Sequence, residues 1–201
     1  MMAAAVDLVL ADRFTARWRA RAAEGTSGRV LEIGFGSGHN LAAYPAAVTE
    51  VLAVDPSDAA WERGQERIRA FGRPVRRAGT DAARLDLPDA SVDHVVSTWS
   101  LCTVPDVRSA LDEARRVLRP GGALHLVEHG TAPGRATATV QRGLQPLWGP
   151  LAGGCHLDRD VRGLLEHAGF DTSGLRSRYA APLPPARPWA WFTWGRAPLA
   201  S

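Results

Sequence analysis

The chain has 201 residues, 45% of them hydrophobic, which is enough to bury one good core and short for two, so a single domain is expected. All 24 basic residues are Arg, and the formal net charge of +3 is spread along the chain rather than gathered in the patch or stripe of a nucleic-acid binder. Two cysteines, Cys102 and Cys155, are too few for a disulfide framework, and neither sits in a CxxC or at a zinc-like spacing from a His, so no metal is expected.

Met2 to Leu10 is weakly apolar, carries Asp7, lacks a basic leader region and is too short to span a bilayer; a cytoplasmic protein without stable membrane insertion is expected. Val6–Ala23 reads as an amphipathic helix with Val6, Val9, Leu10, Phe14 and Trp18 on its apolar face, ending at Gly25. Residues 1–28 are thus expected to form a helix and linker that pack on a domain covering 29–201. From Arg29 the pattern repeats as strand, turn and helix: strand Arg29–Ile33, a helix from Ser37 to Tyr44, strand Glu50–Val54, and helix Ser57–Phe71, capped by Ser57 and stopped at Gly72. Strands follow at Pro74–Ala78 and Val92–Ser97. A helix from about Asp106 to Leu118 ends at Arg119-Pro120-Gly121-Gly122, ahead of strand Ala123–Glu128. Helices Thr137–Trp148 and Arg159–Ala168 come next, then strands Phe170–Ala180 and Trp189–Arg196 joined through Pro182-Leu183-Pro184-Pro185. The alternation predicts an α/β fold: a Rossmann-like, seven-stranded, mostly parallel sheet with helices on both faces and a C-terminal antiparallel strand pair.

Gly34-x-Gly36-x-Gly38 ends the first strand, where missing Cβ atoms let a ligand approach the backbone. A dinucleotide fingerprint would need a small residue at position 39, which is His39, so the spacing favours S-adenosylmethionine (SAM) over a nicotinamide cofactor. Asp55, before Pro56 at the end of the second strand, is placed to accept from both ribose hydroxyls. Asp81 in Gly79-Thr80-Asp81-Ala82 is placed to accept from an adenine amino group, with the Ala82 N–H near a ring nitrogen. Glu32 either faces the cationic amino end of SAM or orders the loop. Phe35 and His39 in the loop, and Thr98 and Trp99 after the fourth strand, complete the expected cofactor contacts, Trp99 also shaping an acceptor pocket.

On these residues the chain resembles a class I SAM-dependent methyltransferase from Arg29 onward. Leu31-Glu32-Ile33-Gly34 and Arg116-Val117-Leu118-Arg119-Pro120-Gly121-Gly122 are common to many such enzymes. Leu101-Cys102-Thr103-Val104, Glu128-His129 and Gly153-Gly154-Cys155-His156-Leu157 are narrower, and resemble the alkyl-thiol methyltransferase-like group and bacterial relatives labelled phospholipid N-methyltransferases. The resemblance implies methyl transfer to a small, partly apolar acceptor with S-adenosylhomocysteine as product. A thiol is favoured, with an amine, a hydroxyl or a phospholipid headgroup as alternatives. Membrane-bound thiol methyltransferases of the group carry an N-terminal apolar anchor, which Met2–Leu10 does not resemble. Trp99 stands where relatives have an aliphatic residue.

Transfer from a sulfonium is an in-line displacement that depends on alignment and exclusion of water. His129 and His156 are the candidates for a base that ionises a thiol, each with a structural hydrogen bond as its alternative role. Cys102 and Cys155 read as small buried apolar residues. The C-terminal tryptophans Trp148, Trp189, Trp191 and Trp194 suggest an aromatic acceptor side, although Trp191 and Trp194 alternate as in a packed edge strand. A SAM-binding protein without turnover is the rival class.

Overall fold

A computed structural model of the protein describes residues 13–181 and 183–200. Its elements run in chain order as α1 (Arg13–Ala23), β1 (Gly28–Ile33), a 3-10 turn (His39–Ala43), β2 (Val48–Val54), α2 (Asp58–Arg63), α3 (Gln65–Phe71), β3 (Val75–Gly79), β4 (Val92–Thr98) and α4 (Val107–Val117). The second half contains β5 (Leu118–His129), α5 (Arg135–Leu151), α6 (Val161–His167), β6 (Arg176–Tyr179), α7 (Arg187–Ala190) and β7 (Trp191–Pro198). The strands form one seven-stranded sheet in the order β3-β2-β1-β4-β5-β7-β6. β1 to β5 are parallel, and β7 runs antiparallel to both β5 and β6. The expected α/β architecture with its C-terminal antiparallel pair is the one observed.

Period-two alternation along the strands splits the core between the two faces of the sheet. Leu31, Ile33, Leu52, Val54, Val95, Leu124 and Leu126 pack with Leu111 of α4 and Leu165 of α6 on one face. Val30, Val51, Ala53, Val96 and Val127 pack on the other with Trp18 of α1 and Ile68 and Phe71 of α3. Trp18 is fully buried, edge-on to Phe192 and Trp194 of β7 at centroid distances of 5.2 and 5.0 Å. The first described helix is therefore fastened to the last strand. The expected extension of α1 back to Val6 lies outside the described residues.

Several elements differ from the sequence reading. The helix expected over Ser37–Tyr44 shrinks to a 3-10 turn, because Gly34, Gly36 and Gly38 all hold positive φ and Pro45 closes the segment. Ser57 does cap its helix, accepting from the Ala60 N–H at 3.1 Å, but the helix breaks at Gly64. A Cβ at Gly64 would stand 3.0 Å from the Ser37 carbonyl oxygen, so the glycine permits close approach of the helix to the loop. Of Phe170–Ala180 only Arg176–Tyr179 is a strand, since Asp171 turns back to accept from the Ser173 N–H. Trp189 lies on the short α7 rather than on the last strand.

β1 and β4 are neighbours, while β2 and β3 continue from β1 in one direction and β5 from β4 in the other. That reversal opens a crevice at the carboxyl ends of β1 and β4. Beneath it lies a buried polar network. Glu32, on the α1 face of β1, accepts from Tyr44 Oη at 2.6 Å and Asn40 Nδ2 at 2.9 Å. Arg19 of α1 donates to Asn40 Oδ1 at 2.8 Å and to Thr98 Oγ1 at 3.3 Å. Burial pushes the Glu32 carboxyl up to about 7, against the lowering effect of the Tyr44 bond, the Arg19 charge and the Asn40 bond.

Two outcomes follow from this packing. Trp18→Ala should destabilise the protein by about 3–5 kcal/mol in denaturant titration, as for other buried aromatic truncations. Because the folded Glu32 carboxyl holds its proton to higher pH than the unfolded one, its contribution to stability is fully present below about pH 4.5 and is lost as pH rises through 7. Glu32→Gln, which keeps acceptor and shape, should remove a fall on the order of 3 kcal/mol across that window in ligand-free protein. Parallel stability-against-pH curves for the two proteins would contradict this.

Candidate functional site

The crevice is a cleft of about 610 Å³, within the usual range for small-ligand sites. Gly34, Phe35, Gly36 and His39 of the glycine loop line it, with Asp55 and Pro56 after β2, Asp81 and Ala82 after β3, and Thr98 and Trp99 after β4. The structure thus gathers ten of the sequence-predicted cofactor residues on one surface. Gly38 and Glu32 stand behind it: Gly38 packs against Phe35 and Leu41, and Glu32 is enclosed by Tyr44 and Asn40.

The glycine loop has a separate reason for each of its first two glycines. At Gly34 a Cβ would overlap the Ser100 side chain, so this glycine lets the loops after β1 and β4 touch. At Gly36 a Cβ would meet nothing within 4 Å, and its φ of 56° leaves bare backbone toward the cleft. The Gly36 N–H donates to Asp55 Oδ2 at 2.7 Å, and the Ser57 N–H donates to Asp55 Oδ1 at 2.8 Å. Asp55 is thereby held rigid at the lip, and each carboxylate oxygen keeps acceptor capacity for a ligand hydroxyl. Asp81 is exposed at the far end, its Oδ1 accepting from the Ala83 N–H at 2.9 Å.

The opposite wall is built from side chains. Trp99 has φ 52°, a left-handed conformation rare for a large residue, and is fixed by its N–H donating to the Val127 carbonyl at 2.8 Å. Arg19 lies over the Trp99 ring, 5.2 Å from its centroid, and also lines the cleft. The loop from Ser100 onward is held by Glu128, whose Oε1 accepts from Ser97 Oγ, the Ser100 N–H and the Leu101 N–H at 2.7, 2.9 and 3.0 Å. Burial raises the Glu128 carboxyl above the usual range, against these three bonds.

Behind that wall His129 meets both cysteines. Its Nε2 is 3.2 Å from Cys155 Sγ and 3.9 Å from Cys102 Sγ. The Cys155 thiol is pulled down, first by a hydrogen bond from Cys102 and then, against burial, by His129. Cys102 is pushed up by the same bond and by burial. Burial would lower His129, but its contact with Cys155 and the Glu128 charge raise it. His156 takes a different place: its N–H donates to the Cys102 carbonyl at 2.8 Å, and its Nδ1 lies 3.4 Å from Gln145 Nε2.

Sequence reasoning missed two parts of this site. Arg19 reaches the cleft from α1, and only its membership of an amphipathic helix was visible. Cys102 and Cys155, read as inert, converge on His129 because β4 and β5 are paired and the loop after α5 folds back over them. The C-terminal tryptophans pack elsewhere, Trp194 on Trp18, Trp191 on Tyr179 and Trp148 on Trp189, and do not line the cleft.

Residues 31–126 match the methyltransferase domain family. The chain is 36% identical over 155 residues to thiol S-methyltransferase TMT1B of Rattus norvegicus, covering 73% of this chain and 62% of that protein. It is 36% identical over 168 residues to human thiol S-methyltransferase TMT1A, covering 79% of this chain and 67% of that one. It therefore spans a little over three fifths of the length of the TMT1B proteins it matches. Among solved structures, the putative methyltransferase in complex with the Haloferax volcanii Trm112 methyltransferase activator superposes with a TM-score of 0.75 at 18% identity, over 98% of this chain and 94% of that one. No helix among the described residues is long and apolar enough to cross a membrane. With the strand order, the glycine loop and these relatives in agreement, the chain belongs to the class I SAM-dependent methyltransferases.

Proposed function

We propose that the protein transfers a methyl group from SAM to a small, partly apolar thiol. The observation that carries the cofactor half is the convergence of bare backbone at Gly36, a fixed carboxylate at Asp55 and an exposed one at Asp81 on a single cleft. This cradle fits SAM: Asp55 would take the ribose hydroxyls, Asp81 and the Ala82 N–H the adenine edge, and the loop from Gly34 to Gly36 the amino-acid portion. When bound, SAM supplies a methyl group on a sulfonium. The acceptor half is supported by the thiol S-methyltransferases among the relatives.

The chain's own contribution is placement and enclosure. Phe35 and Trp99 bring apolar surface to the cleft, which favours an uncharged or partly apolar acceptor and displaces water from the line of transfer. The thiol loses its proton before attack, because the thiolate is the nucleophile. His129 and His156 remain the candidate proton acceptors. Neither lines the cleft itself: His129 lies behind its wall against Cys155 and Cys102, so it would act on an acceptor only through that cluster.

A methyl-transfer screen with labelled SAM should give thioether products from alkyl thiols at least roughly tenfold faster than from amines or phenols of similar size, matching the differences ordinary pocket selectivity produces. Turnover of an amine or phenol with none of any thiol would overturn the acceptor assignment. Asp55→Ala should weaken SAM in calorimetry by roughly 10- to 100-fold, the range for lost hydrogen bonds to a charged group. Asp55→Asn, which preserves shape, should fall between. Unaltered SAM affinity in both variants would remove Asp55 from the ribose.

A further inference from the structure

Cys102, His129 and Cys155 are drawn from three separate segments, and their ligand atoms all lie within 4.8 Å of one another. One atom, His129 Nε2, is in reach of both sulfurs, at 3.2 and 3.9 Å. Tetrahedral zinc, with Zn–S of about 2.3 Å and Zn–N of about 2.0–2.1 Å, requires S···N separations of about 3.5 Å and S···S of about 3.8 Å. The two S···N distances bracket that value. Thiolate pairs select thiophilic ions, and two thiolates with a neutral imidazole cancel the charge of a divalent ion, which suits a site where Cys102 is 1% and Cys155 5% exposed.

The three segments are held in register by bonds outside the cluster. The His156 N–H to Cys102 carbonyl bond joins the two cysteine loops. Gln145 clamps the second, donating to the Cys155 carbonyl at 3.1 Å and accepting from the Leu157 N–H at 2.8 Å. Arg159 donates to the Leu101 and Val104 carbonyls on either side of Cys102. Such outer support is what a metal site needs in order to fix its ligands.

We propose that Cys102, His129 and Cys155 form a three-ligand zinc site whose open fourth position takes the sulfur of the acceptor. Three protein ligands and a vacant position are the pattern of catalytic rather than structural zinc. The group lies just behind the cleft wall: Ser100 and Thr103 on the Cys102 loop and Ala152 and Gly153 on the Cys155 loop line the cleft, although the three ligands themselves do not. This inference rests on the thiol reading for its fourth ligand and on this chain's own residues for the other three. On binding, the acceptor S–H releases its proton to solvent, because a thiol coordinated to a divalent ion is deprotonated. A lone pair of that sulfur then forms the new S–CH3 bond as the sulfonium C–S bond breaks, its electron pair remaining on S-adenosylhomocysteine. The neutral thioether is a weaker ligand and leaves.

The test uses the full chain, reduced and stripped by a chelator, then titrated with Zn2+ against a chromophoric competitor. One Zn2+ per chain is expected, with affinity lowered roughly 100-fold or more in Cys102→Ser and in Cys155→Ser, beyond the loss typical of outer-shell changes. SAM calorimetry on the same variants should be unchanged, reporting that they are folded. Absence of stoichiometric zinc in wild-type protein that binds SAM would overturn the site, as would wild-type zinc affinity in both serine variants. In protein loaded with Co2+, a small alkyl thiol should shift the cobalt absorption bands; an unshifted spectrum would overturn the fourth position. Thiol methylation that persists undiminished in zinc-free protein would overturn the activation role, whereas stoichiometric zinc with no thiol turnover would overturn the thiol reading and leave the three-ligand site standing.

Discussion

The geometry of the cleft depends on two carboxylates sealed inside the sheet. Glu32 projects from β1 toward α1, and Glu128 projects from β5 toward the face covered by α4 and α6. Each stands near the carboxyl end of its strand, and each gathers donors from the loops above it. Glu32 takes Tyr44 and Asn40, and through Asn40 it reaches Arg19 and Thr98. Glu128 takes Ser97, Ser100 and Leu101. Burying a carboxyl group is costly unless its lone pairs are met; Glu128 Oε2 already lies buried without a partner, so the donors on its Oε1 and on the two Glu32 oxygens cannot move away without leaving further acceptors bare in the core. The two walls of the cleft are thus fixed from below, one on each side of the sheet.

The walls differ in kind. On the glycine side the chain presents backbone, with Gly36 bare and Asp55 tied to its N–H. Across the cleft it presents Trp99 in a left-handed conformation that costs of order 1–3 kcal/mol, held by the Val127 carbonyl behind it. Strain of this sort persists only where surrounding bonds overdetermine the conformation. Here Glu128 fixes the following residue and Arg19 lies over the ring.

The parts of this arrangement that sequence could reveal are the local ones. A strand running into Gly34-x-Gly36-x-Gly38, Asp55 at the next strand end and Asp81 at the third are signals contained within short windows, and the parallel character of the sheet follows from alternation, while its strand order comes from the structure. Helix lengths were less legible, since the Ser37–Tyr44 segment contains enough apolar residues for a helix but is governed by positive-φ glycines and Pro45. The sulfur cluster was invisible for another reason. Cys102, His129 and Cys155 are brought together by strand pairing and by a loop returning after α5, and no local pattern encodes that meeting. Arg19 belongs to the same class: its helical face was apparent, but its partners are Asn40, Thr98 and Trp99.

The packing of Trp18 on Phe192 and Trp194 bears on the order of assembly. α1 precedes every described strand in sequence, yet its aromatic anchor docks on β7, which follows all the other described strands. A contact of such high sequence separation forms late, because its loop-closure entropy must be offset by structure already in place. Arg19 is carried to the cleft by that docking. β1 through β5 can therefore pair and shape the glycine loop while one wall is still open, and the cleft closes only when β7 is in place to receive α1.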